Sequence, residues 1–89
     1  MLSLEDKLLL HEYGEDDRAI TAMSMFMRRE RARSCEARAA FQRVYGKVCQ
    51  MSDEEYHDAY RGAKEEIDRV IRALALANQC DMELTTQNA

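Results

Sequence analysis

No proline occurs among the 89 residues of this chain, and only three glycines do. Turns recruit these two residues because one presets φ and the other tolerates positive φ. A sheet protein needs turns often, so a chain this poor in both has few places to reverse. Ala, Glu, Arg, Leu and Met, all strong helix formers, fill the sequence instead. The expected fold class is all-α. The length allows one domain with a small core. It lies just above the roughly 70–80 residues below which a single core seldom suffices, so association with another chain is a natural supplement.

Capping signals divide the chain. Ser3 with Asp6 three residues on forms a weak capping box, Leu4, Leu8 and Tyr13 lie near one face, and Gly14 suits a helix end; a first helix is expected over about 4–13. Glu15, Asp16 and Asp17 favour the positive end of a second helix, and Asp16 or Asp17 can cap it. No decisive breaker follows before Ser52, which predicts a continuous or merely bent helix over 16–50, roughly 50 Å long, with a break near Ser34, where Ser34 would cap a new start, as the alternative. Ser52 and Glu55 make the clearest capping box, with Met51 and Tyr56 as its hydrophobic staple, and open a third helix over 53–79. Residues 1–80 read as one helical domain and 81–89 as a frayed or disordered tail.

The third helix carries Tyr56, Tyr60, Ala63, Ile67, Val70, Leu74 and Ala77 at alternating spacings of four and three, the rhythm of a coiled-coil seam. The second answers with Ile20, Met23, Met27, Glu30, Ser34, Ala37, Phe41, Val44 and Val48. This predicts a short N-terminal helix followed by a long antiparallel hairpin, in which Val48 faces Tyr56 and Met27 approaches Ala77. The first helix is expected across the open end, near Ile20, Met25, Phe26, Leu74 and Leu76. A hairpin cannot cover both of its own apolar stripes, so a homodimeric helical bundle is expected to complete it.

The chain has a formal net charge of −4, yet six arginines lie within residues 27–43. On a helical wheel they form a collar around the seam rather than the single stripe of a groove-reading helix. Three readings stand: solvated flanks paired with Glu65, Glu66 and Asp68 of the third helix; contact with an acidic protein partner; or a nucleic-acid-associated dimer using the collar from Arg28 to Arg43. The acidic balance of the chain, and the lack of lysines or aromatics interleaved with the arginines, weigh against nucleic acid. Glu30 is the oddest member, a carboxylate on the expected seam that requires an arginine partner or an opening in the seam. Met23, Met25 and Phe26 make residues 20–27 apolar almost all round, which requires cover on every side and points to a protein interface.

Other chemistry finds no pattern. Cys35, Cys49, Cys80, His11 and His57 stand at no metal-ligand spacing, and the odd number of cysteines reads as reduced thiols in a cytoplasmic protein. There is no phosphate loop or nucleophile set and no run of the roughly 20 apolar residues that spans a membrane, and the acidic N-terminal stretch, without a basic n-region, is not expected to act as a signal peptide. The expectation is a non-enzymatic interaction protein without metal or cofactor. It regulates or inhibits another macromolecule by direct binding, as phage or mobile-element antagonists of host systems do; an adaptor or structural subunit of a larger assembly is the further alternative. The expected partner-binding residues are Met23, Met25, Phe26, Arg28, Arg29, Glu30, Arg33 and Arg43.

Overall fold

A computed structural model describes residues 1–88, with side chains described through Gln79. The described residues form four helices: α1 (Leu4–Tyr13), α2 (Arg18–Arg31), α3 (Cys35–Gln50) and α4 (Asp53–Asn88). The all-α expectation holds, and all four starts lie where side-chain caps satisfy the free N–H groups of a first turn. The Ser3 hydroxyl accepts from the Asp6 amide at 3.2 Å while the Asp6 carboxylate accepts from the Ser3 amide at 3.0 Å. Asp17 accepts from the Ile20 amide at 3.0 Å. At α4, the Ser52 hydroxyl accepts from the Glu55 amide and the Glu55 carboxylate from the Ser52 amide, each at 3.1 Å.

The helix expected over 16–50 is broken. Ala32 and Ser34 adopt extended backbone, and the Ser34 hydroxyl accepts from the Ala37 amide at 3.0 Å to start α3. The physical reason lies in the two polar residues on the seam. An unbroken helix would carry Glu30 and Ser34 onto the buried face; the break leaves both exposed and gives Ser34 a capping role. It also resets the helical phase. Val44 and Val48 of α3 are buried as expected, but α2 buries Thr21 and Met25 and turns Ile20, Met23 and Met27 outward.

The break relocates the hairpin. α2 folds back on α3, with Phe26 and Tyr45 rings 5.7 Å apart and Arg29 bonded to Gln42 across the pair. The pairing expected between 16–50 and 53–79 does not form: α3 and α4 diverge from their corner at Met51–Ser52. The short α1 takes the place between them. Leu10 is fully buried, and with Met25, Val44, Val48, Tyr56 and Ala63 it forms one core, flanked by Leu2, Leu9, Tyr13 and Tyr60. α1 shares the core with Met25 and the groove with Ile20, as expected, but Leu74 and Leu76 stay exposed. With Leu10 in the core and Lys7 and His11 tied to Glu66 and Asp68, α1 covers the first half of α4, so the long hairpin loses its partner.

Polar contacts between elements reinforce this placement. Asp6 is buried, and its carboxylate meets the Lys47 ammonium at 2.5 Å, joining α1 to α3. Burial pushes the Asp6 carboxyl up, but Lys47 and the Ser3 amide and hydroxyl outweigh it, holding the group below its ordinary value of 3.8. Lys7 meets Glu66 at 2.6 Å and His11 meets Asp68 at 2.7 Å, tying α1 to α4. The fully buried Tyr56 donates to the Glu15 carbonyl at 2.5 Å and lies 2.6 Å from the Thr21 hydroxyl, which accepts from the Glu15 amide at 2.9 Å.

α4 outruns its cover. Its 36 residues span roughly 54 Å at about 1.5 Å per residue. The face that buries Tyr56, Ala63 and Ile67 continues at the same spacing through Val70 and Leu74, both exposed. The helix runs on to Asn88, past the end expected at Gln79, because no glycine or proline follows Gly62 to stop it. Ala89 lies outside the described residues.

Candidate protein interface

The break at Ala32 and the outward turn of α2 create an open groove. Ile20, Met23 and Met27 of α2 line it from one side, and Tyr13 of α1 and Phe41 of α3 from the other; its volume is about 520 Å³. Met23 is 65 % exposed, Met27 44 % and Ile20 55 %. Large apolar side chains at this exposure, three and four residues apart on one helix, form a contiguous stripe rather than scattered surface residues. Arg28 and Arg31 also line the groove, and no acidic residue does.

The arginines divide by what already holds them. The Arg28 guanidinium lies 3.8 Å from the centre of the Tyr13 ring, a cation–π contact that fixes it at the groove edge. Arg29 is only partly exposed. It bonds to Glu30 at 2.7 Å and to Gln42, and stacks 4.5 Å over Phe26, so it clamps α2 to α3. Arg43 reaches Glu5 of α1 at 3.2 Å. Arg31 and Arg33 are exposed. The pairing expected between the collar and Glu65, Glu66 and Asp68 is absent, because α4 lies against α1: Glu66 is engaged by Lys7 and Asp68 by His11. The His11 hydrogen bond holds the Asp68 carboxyl below its ordinary value.

The residues expected to bind a partner thus separate. Met23 and Arg28 sit together at the groove. Met25 does not belong with them: it is 0 % exposed, on the opposite side of α2 from Met23, and it is part of the core. Phe26 packs on Tyr45 and Arg29 toward α3 and is partly exposed. Glu30 is exposed and paired with Arg29, not a buried seam carboxylate. Arg33 lies in the connector after α2, and Arg43 across α3 toward α1. Ile20 and Met27 read as buried seam residues while α2 was expected to continue, and Tyr13 and Phe41 come from other helices. No local pattern announces either.

Elsewhere, Cys35 and Cys49 are free and exposed, and the Cys80 side chain lies outside the described ones. Among the described residues no cluster of His, Cys, Asp or Glu has the makings of a metal site, and no helix is long and apolar enough to cross a membrane. Fold and site define a small all-α protein with an open, arginine-edged apolar groove. The chain matches no protein-family model, no curated protein and no solved structure.

Proposed function

We propose that this chain is a non-enzymatic interaction protein that regulates or inhibits another macromolecule by holding a protein partner in the α2 groove. The observation that carries this reading is the outward stripe of Ile20, Met23 and Met27 on a helix whose other face is already packed. Burying one such side chain is worth about 1.5–3 kcal/mol, so leaving three open is a cost that a partner reverses. Methionines suit this role, since their unbranched, polarisable chains adapt to a partner's shape.

Capture from host-cell lysate tests the reading. Tagged wild-type protein should recover one partner at near one-to-one stoichiometry, and the Met23→Asp variant should not. Met23 is exposed, so the variant should keep its fold, which circular dichroism checks. Equal capture by both chains would refute the α2 groove as the binding face. Retardation of DNA or RNA at low salt that survives Met23→Asp but fails after charge reversal at Arg31 and Arg33 would favour the collar reading instead.

The projecting half of α4 supports a second association, between two copies. Its apolar stripe is continuous with the face buried inside the body, and residues 70–80 carry one charge, Arg72. A nearly uncharged helix face suits its own kind better than an acidic or basic partner. Light scattering should find a species of about twice 10.3 kDa at high protein concentration that Leu74→Glu converts to a monomer. A wild-type monomer at several hundred micromolar would refute it.

A further inference from the structure

The α2 groove carries more than the statement that a protein binds there, because its chemistry restricts what fits. We infer that its ligand is an amphipathic α-helix with acidic residues flanking an apolar edge; this rests on the reading of the groove as a partner site.

Every wall of the groove is helical. Apart from Ala32 at one end, the backbone N–H and C=O groups of its lining belong to α1, α2 and α3. There is no strand edge, so an extended peptide laid here would find no ladder partner. Buried backbone polar groups must be paired. A ligand that brings its own internal hydrogen bonds meets that demand, and a helix does so completely. A polyproline segment would instead need free aromatic faces. Tyr13 offers none: Arg28 covers its ring at 3.8 Å and Phe41 packs against it at 5.8 Å.

The dimensions agree. From Ile20 to Arg31 the α2 wall runs roughly 16 Å, about three turns of a helix. Ile20, Met23 and Met27 present ridges at spacings of three and four, into which residues at matching spacing on a second helix interdigitate. Two or three large apolar side chains on one edge of the ligand would fill the groove.

Charge sets the flanks. Arg28 and Arg31 edge the groove, Arg33 follows in the connector, and no acid lines it. Arg31 and Arg33 have no acidic partner among the described contacts. A basic ligand helix would meet like charge, and so would the same face of a second copy. An acidic one gains charge-assisted hydrogen bonds and faster encounter.

Selection from a displayed library tests this. The library presents stable helices whose exposed positions are randomised, mixed with extended and proline-rich peptides, over immobilised full-length protein. The expected winners are helices with large apolar residues at i, i+3 or i+4, and i+7, with Asp or Glu beside them. Their binding should fall at least tenfold on the Met23→Asp chain and at least tenfold on the Arg31→Glu chain. Winners that are basic, proline-rich or extended would overturn the inference, as would a library in which nothing is enriched. Failure here with Met23-dependent capture from lysate intact would discard the helix and keep the groove. Loss of Met23 dependence in that capture would discard both.

Discussion

Tyr56 joins the start of α4 to the connector before α2, and removing its hydroxyl is a sharp test of that joint. The ring is fully buried, so Tyr56→Phe leaves the packing in place and deletes one oxygen. One proton assignment satisfies the group of three: the Glu15 amide donates to Thr21, the Thr21 hydroxyl to Tyr56, and the Tyr56 hydroxyl to the Glu15 carbonyl. Without the Tyr56 oxygen, the Thr21 hydroxyl can turn to the Glu15 or Asp17 carbonyl, 3.1 and 3.0 Å away, so the hydroxyl recovers a partner, and in the first case the orphaned Glu15 carbonyl does too. The expected loss is therefore at the low end for a buried hydrogen bond, about 1–2 kcal/mol. For a domain of this size that lowers Tm by roughly 5–15 °C. Thr21→Val should cost a similar amount, since it strands the Glu15 amide. Because the two changes share one hydrogen bond, the double variant should lose about 1 kcal/mol less than the two singles together. Urea melts followed by far-UV circular dichroism supply all four corners of the cycle. Stability of Tyr56→Phe within about 0.3 kcal/mol of wild type, or strict additivity, would refute the cycle of three groups as the tie.

Other substitutions probe the remaining joints. Ser34→Ala removes the cap of α3 and should cost about 1 kcal/mol, while Ser34→Gly should cost only a few tenths, as measured by thermal melts. Gly14→Ala should destabilise through space rather than φ: the added Cβ would strike the Leu10 carbonyl oxygen and lie 3.0 Å from Tyr60 Cε1, and a Tm equal to wild type would contradict this. Acid should unfold the protein through its carboxylates. Asp6, Glu55 and Asp68 are held below their ordinary values in the folded state, so their stabilisation is complete above the unfolded values near 4 and fades as pH falls through the lower folded ones. A pH series of urea melts should show stability dropping below pH 4, less steeply for Lys47→Met, in which Asp6 has lost its ammonium.

The sequence made some of this legible and not the rest, for reasons that differ by residue. Caps are local, so Ser3 and Ser52 could be read directly, the choice between Asp16 and Asp17 stayed open, and Ser34 was legible as the cap of a new start; without a glycine or proline beside it, Ala32 gave no sign that the helix breaks there. The stripe on α4 was visible as a stripe. Which other face would cover it was not, because pairing is set by the whole set of competing faces, and α1 is too short a segment to look like the winner. Asp6–Lys47 and Thr21–Tyr56 join residues more than thirty positions apart and leave no local mark. In the groove, Met23 and Arg28 were legible as an adaptable side chain and a basic neighbour. Met25 belongs with them by pattern, because residues 20–27 are apolar on every side, and only the packing decides which side is core.

The three neighbouring methionines of α2 offer the most direct test of the central claim, that the outward face of this helix is where a partner sits. Brief peroxide treatment followed by peptide mass spectrometry reads each sulfur separately. In the free protein Met23 and Met27 should oxidise readily and Met25 should resist, matching exposures of 65 %, 44 % and 0 %. In the complex captured from lysate, Met23 and Met27 should become as resistant as Met25. Continued oxidation of Met23 and Met27 in a one-to-one complex would contradict the account, because the partner would then be bound elsewhere.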